Sequence, residues 1–328
     1  ICYITYKDIV EIIFNKMQKK NFQFTATYDT ITKQVDQEHN DFIAKTIGKV
    51  RTLDYVTLLP NVPYSIEVGP LVSSNIDLTV GTCPAVANGA TTSIASVNIT
   101  TSLYSHYETF CLDDMKLYFN RQMGRGAIQE DLPFESQFLD EKNTVIAKKL
   151  DAKFFLGDGT IAGVIYGATA GGAVGLTAGA VSATPWAVST ALTNGAINTV
   201  DKMIQALPAD VLDADDLVLF VSRTAFDAYS MSIRNLVGVN WDTTILVNGI
   251  APVWGKPNVT LVATAGLAGS NKAILHRSSL LFWATDLNAE GQFKGGYENT
   301  LGKYLLRYAV KLGAGIGFPD QAVVVTIS

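Results

Sequence analysis

The residues that could do chemistry in this chain are few and scattered. Asp213, Asp215 and Asp216 put three carboxylates within four positions, a pattern that could hold a divalent cation. The stretch lacks the glycine and the closing glutamate of an EF-hand loop, so a solvated turn between a helix and a strand accounts for it better. His39, His106 and His276 sit in unrelated contexts, without the spacing that lets imidazoles share a metal. Cys2, Cys83 and Cys111 are odd in number and far apart, which suits idle thiols made in a reducing cytosol rather than a disulfide framework or a zinc site. No H-E-x-x-H, C-x-x-C or G-x-S-x-G occurs. Gly249 to Lys256 comes nearest to a phosphate loop, but it has one residue too many between its glycines, and Pro257 stands where a hydroxyl should follow. Gly313 to Gly317 misses the dinucleotide spacing by one. No nucleophile, general base, metal site or cofactor site emerges.

Composition narrows the classes. At 328 residues the chain has room for about two domains. Hydrophobic residues make up 48% and charged ones only 17%, so a sizeable core is expected and disorder is not. The net charge of −5, from 25 basic and 30 acidic residues, gives no field for gripping nucleic acid. The chain begins at Ile1 without an initiator Met; either proteolysis removed the first residues or the sequence does not include them. Its opening is no signal peptide, because Lys7, Asp8 and Glu11 interrupt any apolar stretch.

The strongest positional signal is a long helix between Asp131 and Thr160. Phe134, Phe138, Val145 and Leu150, with Leu139, Ile146 and Phe154 beside them, recur at mixed three- and four-residue spacing, the stripe of a helix packed along one side. Pro133 suits the first turn, Asp131 can cap it, and Gly157 should stop it. Acidic Glu135, Asp140 and Glu141 lie early and Lys148, Lys149 and Lys153 late, which matches the helix dipole. From Phe134 to Leu156 such a helix spans about 35 Å, the width of a small domain. It reads as a spine.

Upstream, Ile9, Val10, Ile13, Phe14 and Met17 form a short amphipathic stripe, followed by a mixed stretch to residue 57 that reads as an arm. Two period-2 runs come next. Ile76, Leu78 and Val80 alternate with polar residues in one, and Ala95, Val97, Ile99, Thr101 and Leu103 in the other, with Asn88-Gly89 as the turn signal between them. From Gly69 to Tyr107 this ribbon carries one formal charge, Asp77. A long two-stranded ribbon is marginal alone in water, so it must lie on something.

Downstream of the spine no charged residue occurs between Gly159 and Val200, and Gly163, Gly167, Gly171, Gly175 and Gly179 recur at every fourth position. Repeated G-x-x-x-G can pack membrane helices. Here the segment is Gly, Ala and Thr without flanking Lys, Arg or aromatic belts, so a loop and extended segment packed on its neighbours is expected. A helical stripe of Ile197, Val200, Ile204 and Leu207 ends at Pro208. Residues 217–221 read as a buried strand, Ser222 as a cap, and Phe226, Tyr229, Ile233 and Leu236 as the face of the next helix. A hairpin on Asn248-Gly249 and a strand at 259–264 follow. Tyr304, Leu306, Tyr308, Val310 and Leu312 alternate as a half-buried strand, GAGIGFPD makes a break, and residues 321–328 close as a strand. The fold class is α+β.

This order of parts resembles the major capsid protein of tailed bacteriophages, the Hong Kong 97-type fold. The carrying residues are Phe154-Phe155-Leu156-Gly157-Asp158-Gly159-Thr160, the segment LVLFVSRTAFDAY at 217–229, the stretch PVWGKPNVTLVAT, and YLLRYAVKLGAGIGFPDQAVVV near the end. Among such proteins it is most similar to those of crAss-like phages of gut bacteria.

The resemblance implies a building block, not an enzyme. Residues 1–57 would be an N-terminal arm and 58–110 an extended β-hairpin, the E-loop. Residues 111–160 would form a peripheral domain with the spine helix, 161–285 an axial domain, and 286–328 late strands returning through the peripheral to the axial domain. It implies hexamers and pentamers closing into an icosahedral shell around double-stranded DNA, held without sequence-specific binding and with no membrane or cofactor. Portal and scaffolding or auxiliary capsid proteins would be the other partners, with assembly in the host bacterial cytoplasm and residence in the virion. Inter-subunit contacts would fall on ribbon residues Ile76, Leu78, Val80, Pro84, Asn88, Gly89, Val97 and Ile99. Among Lys148, Lys149 and Lys153 of the spine, at least one would meet an acidic group on another subunit or face the lumen. Some relatives weld the shell through a ribbon lysine, but the ribbon here has none. Other readings are an encapsulin-like compartment shell with the same fold, and a membrane-associated protein using the glycine repeat at 163–179.

Overall fold

The computed structural model describes residues 50–69, 71–74, 91–94, 96–111, 134–177, 195–237, 249–286, 293–298 and 303–327. The arm as far as residue 49, the ribbon positions Ile76, Leu78, Val80, Pro84, Asn88 and Gly89, and the first arm of the hairpin expected at Asn248 lie outside them.

In chain order the strands before the spine are β1 (Thr57–Leu59), β2 (Ser65–Val68), β3 (Leu71–Ser74), β4 (Thr91–Ile94), β5 (Val97–Thr100) and β6 (Ser102–Phe110). The spine helix is α1 (Phe134–Leu156), followed by α2 (Gly163–Ala170), β7 (Val174–Thr177), α3 (Gly195–Gln205), α4 (Ala209–Leu212), β8 (Leu217–Ser222) and α5 (Arg223–Val237). Then come β9 (Ile250–Val253), β10 (Lys256–Thr264), β11 (Lys272–Arg277), β12 (Leu281–Thr285), β13 (Phe293–Glu298), β14 (Lys303–Ile316) and β15 (Val323–Thr326).

Two sheets organise these elements. In the first, β14 pairs with β12, β13 and β6, and β1 adds to β12. In the second the order is β7-β15-β11-β8-β10-β9, with β8 parallel to β10 and β15 parallel to β7. The alternating residues of β14 were legible: Leu306, Tyr308, Val310 and Leu312 are all buried on the face toward α1. Against it Phe154 of α1 stacks on Trp283 of β12 at 4.8 Å between ring centroids, while Phe155 meets Phe220 of β8 in the second sheet at 5.1 Å. Each such buried ring stabilises the fold by about 2–3 kcal/mol.

The second sheet is covered on both faces, which is why β8 reads as one continuous apolar run. Val218 and Phe220 point to the core under α1, while Leu217, Leu219 and Val221 point to a second core under α3 and α5. Ser222 caps α5 by accepting from the Ala225 amide at 3.3 Å, and Phe226, Tyr229 and Ile233 bury the face expected of that helix.

Four expectations are corrected. Val145, placed on the buried stripe of α1, is 50% exposed; the turn containing it buries Asn143 and Ala147 instead. Leu103 is 55% exposed, because the alternation of β5 stops at Thr101 and β6 restarts in the opposite phase with Tyr104 inward. The glycine repeat is no loop at its start: Gly163 to Ala170 is a helix, then β7 follows. Gly167 and Gly171 let this short helix lie against Ile316 and Pro319. Finally, Gly313 and Gly315 do not interrupt β14, which runs on to Ile316 and turns only at Gly317 and Phe318.

Among the described residues no helix is long and apolar enough to cross a membrane.

Candidate assembly surface

The ribbon leaves the body as two short paired segments, β2 with β5 and β3 with β4. Its root is fastened to the body through the segment entering its first strand, and its two sides are tied to each other. The Val62 amide donates to Thr285 O at 3.0 Å, and the Thr101 amide donates to Tyr64 O at 2.8 Å. Lys311 on β14 donates to Pro63 O at 2.8 Å and pairs with Asp286 at 3.1 Å, while its ammonium lies 5.2 Å from the centre of the Tyr64 ring. Above these polar ties Ile99, 1% exposed, packs with Val62, Phe282 and Ala284. The backbone of β14 comes so close there that a Cβ on Gly315 would stand 2.5 Å from Ile99 Cδ1. Gly313 would likewise meet Thr100 O at 2.9 Å. The G-A-G-I-G run is thus a seat for the ribbon, with side chains deleted where β5 crosses it.

Two acidic residues organise the lower end of the spine. Asp151 is 3% exposed on α1. It accepts from the Thr52 hydroxyl at 2.5 Å, from the Gly266 amide at 2.7 Å and from the Thr264 hydroxyl. Burial pushes its carboxyl up, and the three donors partly offset that shift. Asp158, one residue past the helix stop, accepts from the Lys153 ammonium, from the Tyr104 hydroxyl at 3.1 Å and from the amides of Thr160 and Ile161 at 3.0 and 3.3 Å. Lys153 beside it is the main reason its carboxyl lies at about 2. The same ammonium stands 4.3 Å from the centre of the Tyr104 ring. L-G-D-G-T is therefore a turn that ties α1 to β6. Gly157, at φ 68°, is required there because a Cβ would meet Ile161 O at 2.5 Å.

The sequence candidates separate accordingly. Val97 is half-buried at the ribbon root, and Ile99 is buried within its own chain, where it moors the ribbon. Lys153 is taken up by Asp158, whereas Lys148 and Lys149 are exposed. Asp216 binds Arg277 at 2.9 Å and Ser279 at 2.5 Å, holding the acidic turn to the end of β11. His276 is buried, with Nε2 2.8 Å from Gly317 O, and His106 is exposed, so the two described histidines do not meet. Among the described residues no three His, Cys, Asp or Glu side chains form a group that could hold a metal. Sequence reading missed Thr52, Asp151 and Gly315 as site residues. Only the Asp-Gly-Thr spacing after a helix stop could have flagged Asp158 as a turn-former.

What this arrangement can do is anchor the root of the ribbon on the end of β14. No protein-family model and no curated protein matches the sequence. Solved structures match it in shape. The satellite phage P4 procapsid, including its size determination protein, aligns over 98% of this chain and 98% of the other, with a TM-score of 0.54 and 11% identity. The capsid of the Myoviridae phage XM1 aligns over 84% of this chain and 90% of the other at 0.51 and 13%, and a virus-like particle from Pyrococcus furiosus over 88% and 98% at 0.50 and 10%. Spine helix, moored ribbon and two sheets together give this chain the α+β fold of phage capsid shells, the Hong Kong 97 type.

Proposed function

We propose that this chain is the major capsid protein of a tailed double-stranded-DNA phage, with copies closing into the hexamers and pentamers of an icosahedral shell. The observation that carries the reading is a two-stranded ribbon moored at its root on the end of β14. Its root is locked by Ile99 on Gly315 and by Lys311, yet among the described residues β2 to β5 pair only with each other. A ribbon of that kind gains stability by lying on a neighbour, and its near absence of charge lets it lie on an identical copy without Coulomb cost. The likeness in shape to capsid shells supports the same reading.

On this reading the first sheet with α1 is the peripheral domain and the second sheet with α3 and α5 the axial one. Because β12 lies in the first sheet, the boundary falls near residue 280. The role is structural, not catalytic, and the acidic surface encloses DNA without gripping it. Portal and scaffolding proteins complete the particle, which is assembled in the host cytoplasm.

Negative-stain microscopy of the expressed chain tests the proposal. Uniform closed particles or capsomer rings are expected. A monomer that persists over a wide concentration range overturns it.

A further inference from the structure

A cleft of about 590 Å³ opens where α1 crosses the C-terminal ends of β8 and β10. Its floor is small and apolar, made by Ala152, Ala263, Ala265 and Ala268. Four cations line it: Arg51, Lys148, Lys149 and Arg223. Arg51 and Arg223 converge, since a Cβ on Gly249 would lie 3.0 Å from one guanidinium and 2.9 Å from the other. Arg223 pairs with Asp227 through Nε at 3.2 Å; among the described residues no carboxylate pairs with Arg51, Lys148 or Lys149. Arg223 also begins α5, where the helix dipole already favours an anion. So much positive charge around an alanine floor calls for carboxylates or phosphates on a narrow chain.

The opposite ends of the same strands carry the complement. β8 and β10 run parallel in register, Leu217 beside Val259 and Ser222 beside Thr264. Helix α4 and the turn entering β8 hold Asp210, Asp213 and Asp215, all exposed. Asn258 pins that turn by donating to Leu212 O at 2.9 Å and to Ala214 O at 3.2 Å. Six residues of strand, about 20 Å, separate the acidic turn from the basic cleft. The charge pattern is head-to-tail, and the acids are too far from the cleft to fill it within one subunit.

We infer that the basic cleft of one copy receives the acidic turn 210–215 of a second copy, a heterologous contact of the kind that closes rings. An acidic loop of the same chain fits better than a DNA backbone, because every copy that brings a cleft also brings its complement, and the chain as a whole is acidic. The inference rests on the shell reading and names one of its interfaces.

Charge exchange tests it. The pair Lys148→Glu and Lys149→Glu, and separately Asp213→Lys and Asp215→Lys, should each raise the protein concentration needed for particles or rings at least tenfold. Both pairs in one chain should bring it back to within about threefold of the parent. All four sites are exposed, so the melting temperatures should stay together. In a second arm, Lys149→Cys and Asp213→Cys chains are mixed under mild oxidation, and a disulfide-linked heterodimer is expected. If particles form but the reversals are neutral and no heterodimer appears, the inference falls and the shell reading stands. If the heterodimer forms but no ring or particle ever does, the contact stands and the shell reading falls. Reversals that leave assembly intact and only reduce retained DNA assign the cleft to the genome and overturn the inference.

Discussion

Thr52 donates its hydroxyl to Asp151 Oδ1 over 2.5 Å, fastening the segment that precedes β1 to the C-terminal part of the spine helix. Thr264, which also binds that carboxylate, brings in the end of β10, so three distant parts of the chain share one buried acid. Such a network is stable only while every member is satisfied.

Truncation should therefore be costly. Asp151→Ala removes the shared carboxylate and leaves the Gly266 amide only Thr264 Oγ1, at 3.1 Å, and the two hydroxyls only each other. We expect a loss of about 3 kcal/mol in urea unfolding. Asp151→Asn keeps an acceptor and should cost about 1 kcal/mol.

The pH dependence of that site has a definite sign. Because burial holds the Asp151 carboxyl above its ordinary value, the native state takes up a proton more readily than the unfolded chain. Stability relative to Asp151→Asn should thus rise as pH falls from neutral through the raised native value, and level off below the ordinary carboxylate value of about 3.9. A gap that narrows on acidification would show that the carboxylate is not penalised by burial.

Asp158 behaves in the opposite way. Its carboxyl lies at about 2 in the native state, so its contribution is complete above about pH 4 and is lost as pH falls toward 2. Partial exposure screens the Lys153 pair, which limits the effect to about 1 kcal/mol. Parent and Asp158→Asn should differ in melting temperature at pH 7 and converge near pH 2. A constant difference over that range would remove the ion pair from the explanation.

At the ribbon root, Gly315→Ala places a methyl against Ile99 and should lower stability by about 1–2 kcal/mol while tilting the ribbon. Ile99→Ala removes both clashing atoms, Cγ1 and Cδ1, and leaves Cβ at 3.6 Å, so the double variant should recover particle yield that Gly315→Ala alone loses. Failure of that rescue, with the fold intact by circular dichroism, would mean the two residues are not coupled.

No covalent ladder should appear when purified shells are boiled, reduced and run on gels, because the ribbon from Gly69 to Tyr107 contains no lysine to form an isopeptide bond.

The bounds of α1 were legible because a stripe, a dipole-matched charge order and Gly157 all agree, and the same holds for the alternation of β14. Side chains that answer to distant neighbours were not. Asp151 reads as an ordinary helix carboxylate until Thr264 is found beside it, and Val145 looks like core although it faces the open groove between α1 and β6. Gly313 and Gly315 resemble a loop because nothing local reveals that β5 lies across them. The surface was half legible: the late lysines of the spine stood out, but only the fold shows that Asp158 claims Lys153 and leaves Lys148 and Lys149 exposed.

One consequence of the strand order concerns timing. β15 sits inside the second sheet, between β7 and β11, not at its edge. During synthesis β7 therefore waits some 150 residues for its partner, and β11 keeps one edge open until residues 323–326 emerge. Until then both strands keep an unpaired edge, the kind of surface on which an unfinished chain pairs wrongly, so the last strand to emerge is also the one that closes that hazard.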